Sequence, residues 1–411
     1  MEHQTINIPP APYLLLSGIP RPPPPVYSVA FHPTELILAT ALTDKTAKLW
    51  QFSNDITIPA KCVSTLEEHT GWVVSVAFHP TRPLLATGST DKTAKLWSLL
   101  PDNQPAECVA TLEGHTSHVY SVAFHPTAPL LATGSADKTA KLWRLWYNPT
   151  SAVCVATLKG HSHIVMSVAF HPTKLILATG SSDTTAKLWS FLPDSLKSTC
   201  VATLEGHTGS VSSVAFHPTA NLLATASGDC TAKLWQFSPD DLSMPPDDRP
   251  MPAECVATLK GHTYSLYSIA FHPTAPLLAT SSADKTAKLW SLSRLPNNSS
   301  ANCVATLKGH IHDVRSVAFH STRPFLATGS EDGTAKLWDI RSHLLTTVTK
   351  GQNVHKFAFF REIGPRGINT RPRWRGGKSI KKHRIYKSRM NNNSRKIKCR
   401  SMCRTRRRSH K

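Results

Sequence analysis

The chain has 411 residues, of which 40% are hydrophobic and 8% aromatic, enough to bury a large core and to exclude a wholly disordered polypeptide. Its net charge of +21 is unevenly placed: residues 361–411 hold 20 Lys+Arg against one acid, Glu362, for a net of +19, while residues 1–360 hold 27 basic and 25 acidic side chains. A nearly neutral body therefore carries a strongly cationic tail, and no window approaches the roughly 18 consecutive apolar residues of a membrane-spanning helix.

The opening stretch, MEHQTINIPPAPYLLLSG, has no basic n-region and only a three-leucine run, so it does not read as a secretory signal. Residues 1–11 are expected to form an N-terminal extension. Beyond them the string TAKLW occurs seven times. Its tryptophans are Trp50, Trp97, Trp143, Trp189, Trp235, Trp290 and Trp338, at spacings of 47, 46, 46, 46, 55 and 48 residues. The unit CVATLEGHTSHVYSVAFHPTAPLLATGSADKTAKLW is typical of the copies. CVATL, VYSVAF, LLATGS and TAKLW read as four short strands, separated by Gly-His, His-Pro-Thr and Asp-Lys-Thr turns. No segment keeps a helical period.

The interval from Trp235 to His262 is nine residues longer than the usual 18 and carries Asp240, Asp241, Asp247 and Asp248 among prolines. It is expected to project as a solvated loop, with a basic partner or the chain's own tail as the alternative contact. After Trp338, His343–Thr349 reads as a strand, and Phe357–Phe360 resembles the start of an eighth copy. The remaining residues, 361–411, have no hydrophobic period and are expected to be disordered alone.

The Gly-His, the Asp six residues before the Trp, and the terminal Trp resemble the WD-repeat family. The resemblance covers roughly residues 12–360. It implies an all-β fold, a seven-bladed β-propeller of four-stranded antiparallel blades, followed by the basic tail. One departure is that the Trp-Asp pair appears only once, as Trp338-Asp339. Two segments compete to complete the last blade, Tyr13–Leu16 and His343–Thr349. The N-terminal one is favoured because that closure is common in the family.

The family's structural tetrad maps onto recurring positions. They are His69, His115, His161, His207, His262 and His310, each 28 residues before a Trp; Thr40, Thr87, Thr133, Thr179, Thr225, Thr280 and Thr328, ten before; and Asp44, Asp91, Asp137, Asp183, Asp229, Asp284 and Asp332, six before. The same residue types form catalytic triads, but seven repeated and buried copies argue for a structural role. In the first copy the His position is Pro22, so blade 1 is expected to be the weaker one.

Cys62, Cys108, Cys154, Cys200, Cys255 and Cys303 each lie seven residues before the Gly-His histidine, one per outer strand. They are too far apart to pair, and read as reduced, half-buried thiols of an intracellular protein of the cytoplasm or nucleus. Cys399 and Cys403 form a lone C-x3-C, a weak zinc signal. His32, His79, His125, His171, His217, His272 and His320 end the inner strands. Their sharp reading is a metal or pH-sensitive ring, and their plain reading is a turn residue copied seven times. No nucleotide loop, nucleophile elbow or zinc-protease helix is present. We therefore expect no catalytic residue, no cofactor and no bound metal.

Positions that differ between near-identical copies are free to serve a partner. The loop after Gly-His and the start of the next strand vary most. They carry Tyr27, Trp72, His118, Tyr120, His163, Ile164, Met166, Tyr264, Tyr267, His312 and Arg315, types common at protein interfaces. In the tail, Arg371, Arg373, Arg375, Lys381, Lys382, Arg384, Arg404, Arg406, Arg407 and Arg408 suit phosphate contact, and Trp374 and Tyr386 suit base stacking. KKHR and RTRRR also fit nuclear-import signals. The sequence thus points to a non-enzymatic scaffold that nucleates a multi-protein complex, a monomeric propeller within a larger assembly. The alternative is a nucleic-acid-associated factor, in RNA processing or chromatin, acting through residues 361–411 on RNA or DNA.

Overall fold

The computed structural model describes residues 3–7, 23–99, 106–146, 152–191, 197–237, 253–293 and 301–348. The expectations placed on Tyr13–Leu16, on the Asp240–Asp248 loop, on Phe357–Phe360, on Cys399 and Cys403, and on the tail lie outside them.

Each repeat supplies three antiparallel strands and donates a fourth. In blade 1, Val26–Phe31, Ile37–Leu42 and Ala47–Gln51 follow in order, and Lys61–Leu66 from the next repeat completes the outer edge. Five more blades are built alike. The inner strands pack side by side in a closed ring, Val314–Phe319 of blade 7 returning to Val26–Phe31 of blade 1. Seven apolar clusters fill the seven junctions between blades. Val26, Val29 and Leu38 of blade 1, for example, pack against Phe325, Ala327 and Leu337 of blade 7.

A second seven-membered set ties the blades together. The inner-strand serines Ser28, Ser75, Ser121, Ser167, Ser213, Ser268 and Ser316 each accept the backbone N–H of the Val or Ile in the following blade, at 3.1–3.4 Å. The last bond, from Val29 N–H to Ser316 Oγ, closes the circle.

The outer strand of blade 7 is His3–Asn7, paired antiparallel to Thr334–Asp339 in the register Gln4 with Leu337 and Ile6 with Ala335. Closure therefore does come from the N-terminus, but through residues inside the presumed extension rather than through Tyr13–Leu16. Ile6 is buried in the junction, and Lys336 Nζ donates to Thr5 Oγ1 at 2.8 Å. The other candidate also changes: Arg341–Val348 is a helix, not a strand. With the outer edge already occupied, the chain turns away. The Asp339 carboxylate accepts the Arg341 N–H at 3.0 Å and so caps the start of the helix.

Within blades 2 to 7 a hydrogen-bond relay is complete. The Trp indole donates to the Thr hydroxyl at 2.8–2.9 Å. The hydroxyl donates to His Nε2 at 2.7–2.8 Å. His Nδ1–H donates to the Asp carboxylate at 2.6–2.7 Å. The other Asp oxygen accepts both the N–H and the hydroxyl of the Thr two residues on, as Asp91 does from Thr93. These bonds hold Lys45, Lys92, Lys138, Thr184, Cys230 and Lys285 at φ of 67–76°, where an L-residue is strained. In blade 7 this position is Gly333, and a Cβ there would come within 2.6 Å of Pro23 of blade 1.

The six thiols expected to be half-buried are exposed, except the partly buried Cys108. Each faces a tetrad Trp across a register shift in the outer pairing, which turns it outward. Each Sγ–H reaches the carbonyl two residues on, at 3.4–3.8 Å.

Blade 1 keeps the Trp50–Thr40 bond at 3.0 Å, but Thr40 Oγ1 then turns to the Lys48 carbonyl at 3.5 Å, a poor substitute for an imidazole. Its Ile37–Leu42 and Ala47–Gln51 amides should therefore exchange with deuterium faster than the matching amides of blades 2 to 6. About 1 kcal/mol of lost hydrogen bonding corresponds to roughly a five-fold difference. Equal or slower exchange in blade 1 would remove the relay as the source of blade stability.

Candidate functional site

Every inner strand begins with the same irregularity. Pairing with the second strand slips between Val26 and Ser28, and again at the same place in the other six blades, so one residue per blade has no partner across the ladder. That residue is Tyr27, Val74, Tyr120, Met166, Ser212, Tyr267 or Arg315 in blades 1 to 7. A bulge bends the strand and re-aims its extra side chain. Here all seven line one cavity of about 560 Å³ at the axial end of the inner strands, joined by Trp72, His118 and Thr90 from the adjoining loops. That volume lies within the ordinary range of ligand pockets, roughly 300–1,000 Å³.

The cavity is not seven-fold in chemistry. Consecutive blades 6, 7, 1, 2 and 3 supply Tyr267, Arg315, Tyr27, Trp72 and Tyr120, an arc of aromatics around one cation. The opposite arc, Met166 and Ser212, is smaller and non-aromatic. The Arg315 guanidinium lies 3.9 Å from the Tyr267 ring centroid and 5.2 Å from that of Tyr27, within cation–π range of both. Its Nε donates to Glu331 at 2.8 Å, and its Nη2 also bonds that carboxylate. Tyr267 donates its hydroxyl to Asp313 at 2.9 Å. Burial pushes the Tyr267 phenol up to about 12, with the Asp313 carboxylate adding to it and the Arg315 charge opposing it. It remains a neutral donor at any physiological pH. Trp72 is 49% exposed and lies 6.3 Å from Tyr27, ring to ring.

Seven of the eleven side chains expected at a partner face thus line one mouth: Tyr27, Trp72, His118, Tyr120, Met166, Tyr267 and Arg315. Four do not. Ile164, whose carbonyl accepts the Ser182 N–H at 2.9 Å, is not part of the lining. His163, Tyr264 and His312 lie two residues past the tetrad His, on the loop outside the cavity. Their carbonyls accept the hydroxyls of Ser181, Ser282 and Ser330, and Tyr264 is 63% exposed. Val74, Ser212 and Thr90 also line the cavity, although their residue types do not mark them as interface anchors. Val74 and Ser212 occupy the position of Tyr120, five residues past the tetrad His. The tail residues from Arg371 to Arg408, Trp374 and Tyr386 included, lie outside the described residues.

The relay Thr hydroxyls are fully buried and already bonded to Trp and His.

The second histidine set has a structural role. In all seven, Nδ1 accepts the backbone N–H groups two and three residues on, as His79 does from Thr81 and Arg82 at 3.2 and 3.0 Å. That fixes the Nε2–H tautomer and leaves no lone pair for a metal. Each ring also packs on the Phe of the next blade, with centroids 4.9–5.1 Å apart, His320 against Phe31 completing the circle. Among the described residues, no group of three or more His, Cys, Asp or Glu is placed to hold a metal ion.

Burial holds all seven imidazoles below the ordinary histidine value of 6.5, His79 and His171 at about 4. The tetrad carboxylates are also held low: burial pushes them up, but the hydrogen bonds from His and Thr outweigh it. An unfolded chain binds protons at these histidines near pH 6.5, and the folded chain only lower. Their stabilising contribution is therefore full above about pH 6.5 and erodes as pH falls toward 4. The carboxylates add a further loss below their unfolded value near 3.8. The urea midpoint should fall steadily from pH 7 to pH 4.5; a flat midpoint over that range would contradict the neutral, buried histidine circle.

A comparison with protein-family models matches the WD domain, G-beta repeat, at residues 21–51, 60–98, 106–144, 152–190, 198–236, 253–291 and 301–339, together more than half of the chain.

Proposed function

The chain belongs to the WD-repeat (G-beta) family, and on that premise we propose that it is a non-enzymatic scaffold that nucleates a multi-protein complex inside the cell, with the axial mouth as its main partner site. Propellers of this family are common protein-interaction scaffolds and are generally non-enzymatic. No helix among the described residues is long and apolar enough to cross a membrane.

One observation carries the reading. The seven unpaired bulge positions, which the ladder does not constrain, differ from copy to copy and converge on one cavity. Tyr, Trp, Met and Arg at a concave, partly exposed site are the residues that anchor protein interfaces. The aromatic arc gives a near-symmetric ring one distinguishable side, so a bound segment has a defined orientation. Tyr27, Trp72, Tyr120, Met166, Tyr267 and Arg315 form the contact set of this proposal, with His118 at the rim. His163, Tyr264 and His312 extend it outward onto the loops.

A second reading rests on the +19 charge of residues 361–411. Lys and Arg at that density bind RNA or DNA by releasing counterions. In that case the tail is the main binding element and the propeller positions it.

The test is capture of partners from a lysate by the full chain, with and without nuclease, beside Tyr120→Ala and Trp72→Ala. Truncating an interface anchor costs about 2 kcal/mol, so each variant should retain roughly a thirtieth of the affinity while its thermal midpoint holds. Recovery that survives both substitutions but vanishes with nuclease, or between about 50 and 200 mM salt, would overturn the scaffold reading in favour of the nucleic-acid one.

A further inference from the structure

The outer slot of each blade is defined by what the third strand presents to it. In blades 1 to 6 the occupant pairs in one register. A Thr faces the Lys of the third strand, a Leu faces the Ala before that Lys, and a small residue faces the Leu after it. The small residue is Ser64 in blade 1 and Ala110, Ala156, Ala202, Ala257 and Ala305 in blades 2 to 6. In blades 2 to 6 the Lys ammonium donates to the facing Thr hydroxyl at 2.9–3.1 Å. The slot therefore reads small residue, Thr, Leu.

In blade 7 the occupant is His3–Asn7, which matches at two of these three positions. Thr5 faces Lys336 and accepts from its ammonium at 2.8 Å, and Ile6 faces Ala335 and is buried. The misfit is Gln4, which faces Leu337 where the other blades place a small residue. It is only 7% exposed. Its Nε2 donates to the Ile58 carbonyl, but its Oε1 is buried and accepts no hydrogen bond from a described residue. Such an amide oxygen has given up water without gaining a donor. The strand also lacks the register shift that sets a Cys against the tetrad Trp in the other six blades. His3 faces Trp338 directly, with ring centroids 4.6 Å apart.

Its attachment differs too. In blades 1 to 6 the outer strand follows the third strand of its own sheet in the chain, whereas Thr5 and Lys336 are 331 residues apart. His3–Asn7 belongs to no other sheet. The three strands beneath it are held independently, by the relay of His310, Thr328 and Trp338 and by the bond from Val29 N–H to Ser316. The closing strand can therefore leave while the relay and the serine circle stay intact. The bared edge makes a specific demand: backbone groups to pair, an acceptor for the Lys336 ammonium, and apolar cover for Ala335 and Leu337.

We propose that the outer edge of blade 7 is a strand-docking site, at which an extended segment of a protein partner replaces His3–Asn7. The segment runs antiparallel to Thr334–Asp339, with a small residue opposite Leu337, a Thr opposite Lys336 and a Leu or Ile opposite Ala335. Main-chain pairing supplies affinity, and the three side chains supply specificity. The six other slots show what fits better than the resident strand, since each holds Ala or Ser where it holds Gln4. The same strand from a second copy of this chain would bring Gln4 with it and gain nothing over the resident one. The site lies on the outer edge of the ring, apart from the axial mouth, and does not depend on that reading.

The experiment uses the full chain and a fluorescein-labelled peptide, Val-Ala-Thr-Leu-Glu-amide, which repeats the sequence Val109–Glu113. Fluorescence anisotropy reads binding, and hydrogen exchange at saturation reads displacement. Binding should saturate, and the amides of Gln4–Ile6 should lose protection while those of Thr334–Asp339 keep theirs. Unlabelled Val-Gln-Thr-Leu-Glu-amide and Val-Ala-Val-Leu-Glu-amide should each compete about tenfold more weakly than the unlabelled parent peptide. The first buries an amide oxygen without a donor, and the second leaves the Lys336 ammonium without its hydroxyl. In the chain, Gln4→Ala should tighten the resident strand and weaken peptide binding about tenfold, while Ile6→Asp should loosen that strand and strengthen peptide binding about as much. Opposite signs separate strand exchange from general damage to the fold. The proposal falls if the peptide does not saturate, if Gln4–Ile6 stay protected with peptide bound, if the glutamine peptide competes equally, or if Gln4→Ala leaves the affinity unchanged. A concentration-dependent dimer of the chain alone that the peptide dissociates would assign the slot to a second copy and overturn the partner assignment.

Discussion

The buried threonine hydroxyl at the centre of blades 2 to 7 is the constraint on which the rest depends. It is one atom group with two obligations. It must accept from an indole on the neighbouring strand, and it must donate to an imidazole carried by the loop that leads into the blade. An unsatisfied buried hydroxyl costs on the order of 1–3 kcal/mol. The loop, the second strand and the third strand therefore have one low-energy arrangement, and the Asp that receives the imidazole proton fixes the last turn as well. The serine circle makes the same kind of demand between blades, since Ser28 Oγ is useful only if Val76 of the next blade presents its N–H. Within a blade and between blades, polar satisfaction specifies geometry while the apolar clusters supply the driving force.

A frame so strongly specified leaves few positions free, and this is where function can enter. The bulge residue has no ladder partner, and its side chain leaves the plane of the sheet toward the axis. Tyr, Val, Met, Ser and Arg all occur there, because no relay or ladder bond depends on the choice. The same logic applies at the other end of the strands. The turn histidine is the same in every copy because its Nδ1 closes the turn and its ring spaces the blades. The residue three positions later varies from Glu35 to Arg82 to Ala128.

Most of this architecture was legible in the sequence. The recurring Trp, Thr, His and Asp fall at fixed separations that only a repeated packing unit requires. What was misread has identifiable causes. HQTIN closes the ring, yet it offers a single strongly buried apolar residue, Ile6, and looks weaker as a strand than YLLL. The pairing is held instead by backbone bonds and by Lys336 reaching Thr5, neither of which leaves a hydrophobic pattern. RSHLLTTV carries β-branched residues and reads as a strand, but the edge it would have joined was already taken, and the Asp339 cap let it become a helix. The inner-strand serine was visible seven times over, but a hydroxyl whose partner lies in the next repeat has no local signature. The mouth is legible only in part, because a Val or Ser at a bulge position carries no interface signature of its own. Val74 and Ser212 belong to it by position alone.

The charge at the axial mouth is already committed within the propeller, and that bears on what the mouth can offer a partner. At the axial mouth Arg315 is already engaged, stacked against two tyrosine rings and bonded to Glu331. Drawing it toward an incoming anion would break a charge-assisted pair and expose Glu331, so its charge is largely unavailable. Its effect is instead to hold Tyr27 and Tyr267 in place, which preorganises the aromatic arc and reduces the entropy lost on binding. Under the proposed scaffold role, the mouth would select by shape and apolar contact.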